Sequence, residues 1–194
     1  YQDGHIEGAE HIFVGTLPAS LFNLEGLELL YAGENNLTGA LPSTLGEGKA
    51  LTALYLDNNQ FNGTIPRSLC NLTRLTQLSL AKNQLEGSLP EEIGRLLQLQ
   101  VLSAAQNNLI GAIPSKIVLL NQLTNLQLDD NNLTGSLPRL QNLTALQELT
   151  VSGNQLTGPL QVITASLSNE FLFLNKRFAC TFFPPSFPLL TALA

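Results

Sequence analysis

Few residues in this chain have the types and spacing that catalysis or metal binding requires. There are two histidines, His5 and His11, both within the first eleven residues, and two cysteines, Cys70 and Cys180. A serine or threonine nucleophile needs a base held beside it, and no histidine can be placed next to the hydroxyls further along. The Asp129-Asp130 pair lacks the additional oxygens at close spacing that a calcium loop supplies. Glycines fall singly rather than clustering into a phosphate cradle. Two widely separated cysteines make neither a zinc site nor a disulfide framework. No catalytic residue, metal ligand or cofactor is assigned, and the expectation is a protein that is not an enzyme. One modification chemistry is written clearly. The sequon N-x-[ST] occurs at Asn36, Asn62, Asn71, Asn132 and Asn142, never with proline in the middle. An exposed sequon in a secreted protein accepts an N-linked glycan.

Composition narrows the remaining functions. The 194 residues carry a formal net charge of −6, and the nine Lys and Arg are scattered, with Lys176-Arg177 the one adjacent pair. Nucleic acid and anionic membranes both select for basic patches, so neither is an expected partner. No run of eighteen uncharged apolar residues is present, so no membrane span is expected. The chain opens at Tyr1 in mid-pattern with no signal peptide, as expected of a mature chain or a fragment. Hydrophobic residues make up 44% and charged residues 12%, a composition that folds.

The elements that must position these residues are set by a repeat. An asparagine following an apolar-x-apolar pair falls at Asn35, Asn59, Asn83, Asn107, Asn131 and Asn154, spaced by 24 and finally by 23. Counting back one period reaches His11 in "HIFVGTLP". Counting forward, "FLFLNKRFACTFFPP" fits with Lys176 in the asparagine slot and Cys180 in the glycine slot. The unit reads L-x-x-L-x-L-x-x-N-x-L-x-G-x-[LI]-P. Its L-x-L core has period two, so both leucines face one side of a short strand. Such strands stack in parallel, about 4.8 Å apart, along a solenoid. The asparagine comes where the chain leaves the strand, and its amide serves backbone groups of its own and the adjacent coil. Glycine allows a positive φ or close approach, and proline starts the return segment.

The in-phase elements "GTLP", "GALP", "GTIP", "GSLP", "GAIP" and "GSLP" at 15–18, 39–42, 63–66, 87–90, 111–114 and 135–138 resemble the plant-type extracellular leucine-rich repeat proteins. The resemblance implies an α/β-type solenoid of about seven to eight coils. It implies a right-handed superhelix, a parallel β-sheet on the concave face, and a second short strand at the G-x-[LI]-P element. The expected organisation is one domain over 1–194, with regular repeats at about 11–160 and a degenerate terminal coil and tail at 161–194. The family's paired-cysteine caps are not visible, so self-association through uncapped ends is an open alternative.

The same frame sorts side chains by face. Between the two strand leucines stand Tyr31, Tyr55, Ser79, Ser103, Gln127 and Thr150; two positions later come Asp57 and Asp129; next come Lys82, Gln106 and Asp130. The expected ligand-binding face is Tyr31, Tyr55 and Asp57 at one end, Lys82 and Gln106 in the middle, and Gln127, Asp129 and Asp130 at the other. Tyrosine is large, rigid and able to hydrogen-bond, and it anchors many interfaces. The five sequon asparagines are expected to be exposed away from this face.

Cys70 and Cys180 lie five coils apart, on the order of 24 Å, too far for a disulfide. Cys70 is expected to be a half-buried filler, and Cys180 the better candidate for pairing outside the chain. The functional reading is an extracellular recognition scaffold for a protein, a peptide or a cell-wall polysaccharide. By resemblance, receptor ectodomains and polygalacturonase inhibitors both fit. The alternatives are a self-assembling surface or filament component, and an ice-binding solenoid using the small residues Thr16, Ala40, Thr64, Ser88, Ala112 and Ser136.

Overall fold

The computed structural model describes residues 12–158 and the backbone of Phe171–Phe173. Each complete coil among the described residues uses three pieces in one order. The first is a three-residue strand at the L-x-L leucines: Leu29–Tyr31, Ala53–Tyr55, Gln77–Ser79, Val101–Ser103, Asn125–Gln127 and Glu148–Thr150. These pair in parallel with equivalent residues opposed, Leu54 to Leu78 and Leu78 to Leu102, forming a main sheet. The second piece is a strand at the N-L-x-G element, from Val14–Thr16 through Asn36–Ala40 and Gln60–Thr64 to Asn132–Thr134. These strands form a separate parallel flank sheet. The third is a short 3-10 helix on the return. Pro18, Pro42, Pro66, Pro90 and Pro114 each stand immediately before one, because a fixed φ near −65° preorganises the entry. The result is an α/β-type solenoid.

Leucines from the three pieces meet in one continuous core. Leu54, Leu78 and Leu126 come from the main strands, Leu56, Leu80 and Leu128 from the residue following each, and Leu45, Leu69, Ile93 and Ile117 from the return helices, all essentially inaccessible. No coil closes this core alone, so each leucine is buried partly by the next coil.

The asparagines form the expected ladder. Asn59 donates through Nδ2 to Leu56 O (3.2 Å) and Asp57 O (3.1 Å) in its own coil, and to Ala32 O (2.8 Å) in the preceding one. Its Oδ1 accepts from Leu37 N at 2.9 Å. The same set recurs at Asn83, Asn107, Asn131 and Asn154. His11, assigned to this slot from sequence, lies outside the described residues.

Glycine does two different jobs. Gly87 has φ +72°, and a Cβ there would sit 2.9 Å from Thr64 Cγ2, so conformation and space both require it. Gly46 and Gly94, in the return helices, are demanded by space alone: their Cβ atoms would fall 2.0 Å and 2.7 Å from backbone oxygens of the next coil. Cys70 occupies the equivalent position in its own coil. It is fully buried rather than half-buried as the sequence suggested. Burial pushes its thiol up to about 12, which keeps it protonated and unreactive at neutral pH. Cys180 lies outside the described residues.

Past the regular coils, Phe171–Phe173 pairs in parallel with Glu148–Thr150 and extends the main sheet by one strand. The offset from Glu148 to Phe171 is 23, one more than the 22 separating Asn154 from Lys176. The register therefore does not support Lys176 as the next ladder residue; Lys176 itself lies outside the described residues.

Candidate functional site

The main sheet presents two chemically distinct regions. At its start, Tyr31 and Tyr55 project from adjacent strands. The in-register pairing of Leu29–Tyr31 with Ala53–Tyr55 stacks their rings, with centroids 4.8 Å apart and planes 10° from parallel. Tyr31 is 67% exposed, leaving one ring face open. The Tyr55 hydroxyl donates to Gln77 Oε1 in the next coil, which fixes the ring. Burial raises the Tyr55 phenol above its ordinary value, with further contributions from Tyr31 and Asp57, so it stays a donor at neutral pH. Asp57 lies against Gly33, where a Cβ would approach its Oδ1 to 3.2 Å. Stacked tyrosines beside a carboxylate make a rigid, half-apolar platform.

Beginning one coil past Tyr55, the sheet dips into a shallow recess of about 460 Å³. Small residues (Ala81, Ser103, Ala105) form its floor, and Gln127, Asp129 and Glu148 its polar wall. Both carboxylates are held in place. Glu148 Oε1 accepts from Gln127 Nε2 (2.9 Å) and Oε2 from Asn125 Nδ2 (2.5 Å). Asp129 Oδ1 accepts from the Thr150 hydroxyl at 2.5 Å. Among the described residues neither carboxylate has an ion-pair partner; the ion pair there joins Arg67 to Glu92 at 4.0 Å, on the return segments.

The sequence-derived face is therefore brought together in two groups. Lys82, Gln106, Gln127 and Asp129 line the recess. Tyr31, Tyr55 and Asp57 lie at the platform. Asp130 joins neither. The column Glu34, Asn58, Lys82, Gln106 and Asp130, read from sequence as a continuation of the strand face, lies in the turn after the strand with φ between 52° and 56°. This left-handed turn redirects the chain toward the ladder asparagine. Lys82 and Gln106 reach back over the sheet, whereas the Asp130 carboxylate lies over Gly153, whose Cβ would sit 2.1 Å from Asp130 Oδ1. The sequence assignment omitted Ser103, Glu148 and Thr150 from the site. Their column positions were visible, but the hydrogen bonds joining residues 21 and 23 apart were not.

The sequons take the other surfaces. Asn36, Asn62 and Asn132 lie on the flank sheet, Asn71 and Asn142 at the ends of return helices, and all five are exposed. Among the described residues, no helix is long and apolar enough to cross a membrane.

Residues 67–166 match the family model described as leucine-rich repeat region, and residues 25–85 match leucine rich repeat. The chain belongs to the leucine-rich repeat family. Its solved relatives include the plant peptide hormone receptor RGFR1 in complex with RGF2, 35% identical with a TM-score of 0.75 over 77% of this chain and 24% of that one. The Arabidopsis receptor kinase HAESA, solved with the peptide hormone IDA and the co-receptor SERK1, is 35% identical, with a TM-score of 0.74 over 77% of this chain and 25% of that one. The BIR3–SERK2 complex from Arabidopsis thaliana matches at 34% identity and a TM-score of 0.61, over 66% of this chain and 69% of that one. This leucine-rich repeat chain thus spans about a quarter of the first two receptor chains it matches. No curated protein sequence matches it.

Proposed function

We propose that the chain is a recognition module of a secreted or cell-surface, receptor-like protein and binds an extended peptide across the main sheet. The observation that carries this reading is the sheet itself. It presents an exposed, preordered tyrosine stack and a polar recess on one sequon-free face. The similar receptors solved with peptide hormones support the same class of ligand. In this reading residues 1–194 act as one domain and Asn36, Asn62, Asn71, Asn132 and Asn142 carry N-linked glycans. Chain expressed in a secretory host should show all five occupied in glycopeptide mass spectra. Unoccupied sites would remove them from the proposal.

The binding test uses a library of synthetic peptides against the purified chain. Tyr31→Ala and Tyr55→Ala should each weaken the bound peptides tenfold or more, because a stacked aromatic at an interface contributes about 1.4 kcal/mol or more. Their melting curves should stay near the parent's, since Tyr31 is exposed and neither ring belongs to the leucine core. Affinity that survives both substitutions would move the site off this sheet.

A further inference from the structure

We infer that the recess between Lys82 and Glu148 is the pocket for a basic side chain of the peptide ligand, lysine or arginine. This deepens the peptide-binding reading and rests on it. Two independent observations point to a ligand here.

The first is the state of the carboxylates. Glu148 is held by the amides of Asn125 and Gln127, and Asp129 by the Thr150 hydroxyl. Neutral donors fix the position of a carboxylate without neutralising its charge. Neither acid meets a cation of its own chain among the described residues. The charge is therefore available, and the geometry is already set.

The second is Ser103 on the recess floor. It is only 7% exposed, and it projects from the main sheet in the same column as Gln127 and Tyr55. Its hydroxyl makes no hydrogen bond to any described residue, whereas Gln127, Glu148, Asp129 and Thr150 beside it on the recess are paired with one another or with Asn125. A mostly buried hydroxyl with no partner in its own chain, opening on the shallow recess, is suited to a ligand donor. An ammonium or guanidinium seated here would reach the Ser103 oxygen below and the Glu148 and Asp129 oxygens at the wall. Such charge-assisted bonds are about twice as strong as neutral ones.

Lys82 sets the direction. It stands at the opposite rim, two coils before Asp129 and so about 10 Å away at 4.8 Å per coil. A cation is repelled from that rim and drawn to the Asp129–Glu148 side. The tyrosine platform is three coils from Gln127, about 14 Å, which an extended chain covers in about four residues at 3.4 Å each. The ligand pattern is thus an apolar or proline residue over Tyr31 and Tyr55, and a Lys or Arg about four positions away.

The test combines two probes on the intact chain. First, an array of random decapeptides, acetylated and amidated, is read with the parent and with Glu148→Gln and Asp129→Asn. Bound peptides should be enriched in Lys or Arg at one position, four from an apolar residue. Each variant should lower affinity tenfold or more, and raised salt should do so too. Second, N-acetyl-arginine methylamide alone is titrated by NMR, and shifts near Ser103 and Thr150 should saturate in the parent and vanish in Glu148→Gln. Thermal melts confirm that both isosteric variants fold. Bound peptides with no basic preference, or with affinity unmoved by both variants, would overturn the pocket and leave the peptide reading standing. Saturation by the arginine probe without any bound peptide would uphold the pocket and overturn the peptide reading. Failure of both probes would remove both.

Discussion

Replacing Asn107 with alanine should cost about 3 kcal/mol of stability. Asn107 is 7% exposed, and its Oδ1 is the acceptor for Leu85 N at 2.9 Å. No other described acceptor serves that amide, so the substitution leaves a buried donor unpaired. The carbonyls that Nδ2 reaches fare better, because each has another donor. Ala104 O also receives Asn131 Nδ2, Leu80 O receives Asn83 Nδ2, and Ala105 O receives Lys82 N. The loss is thus centred on one orphaned N–H plus a side-chain-sized void, which sets the estimate. The neighbouring exposed Gln106→Ala should change stability by less than about 0.5 kcal/mol, since its side chain serves no ladder group. Urea unfolding of the two variants beside the parent measures the difference. Amide exchange at Leu85 locates it. Equal midpoints for Asn107→Ala and Gln106→Ala would mean that the ladder does not carry coil-to-coil stability. Because neighbouring coils share their core, unfolding is expected to spread from the lesion rather than stay local.

Gly46→Val should be at least as damaging, for the opposite reason. A Cβ on Gly46 would lie 2.0 Å from Ser68 O and 2.6 Å from Ser68 C, both backbone atoms of the next coil. No rotamer change relieves a clash with backbone, so the return helices Ser43–Glu47 and Arg67–Asn71 must separate. Overpacking of a fixed contact costs about 1–3 kcal/mol and sometimes more, and here it also opens the core beside Leu45 and Leu69. The control is Gly26→Ala. Its Cβ would meet nothing within 4 Å, and its φ lies outside the left-handed range. That change should be neutral or stabilise by about 0.5 kcal/mol through the unfolded chain. Midpoint temperatures for the pair should diverge clearly. A Gly46→Val protein as stable as the parent would show that the coils can separate freely at the return helices.

These two positions also show how unevenly the fold is written in the sequence. Asn107 was legible because its slot repeats every 24 residues and a buried amide has one plausible duty there. Gly46 was not. Its slot holds Cys70 and Val118 in later coils, so no period marks it, and only the approach of Ser68 shows why it must be glycine. The left-handed turn at Glu34, Asn58, Lys82, Gln106 and Asp130 was hidden for a related reason. Side chains so different share one backbone shape because the ladder bonds hold the turn, and those bonds overrule residue preference. Reading that column as strand misplaced Asp130.

The candidate site divides in the same way. The tyrosine column was visible from spacing, because parallel strands in register place residues 24 apart side by side. The recess was not. Glu148 and Asn125 stand on the same column, but whether a long carboxylate turns toward an amide or toward solvent depends on side-chain reach across coils.

By itself, the sequence determined the coil: its period, which leucines turn inward, where asparagine and proline punctuate it, and which columns face out. Those are properties of one repeat, and twenty-four residues suffice to express them. Only the tertiary structure decided which outward residues meet, which glycines are crowded and which polar groups lack partners. Each of those depends on two coils lying about 4.8 Å apart, and a contact between coils is not contained in either one.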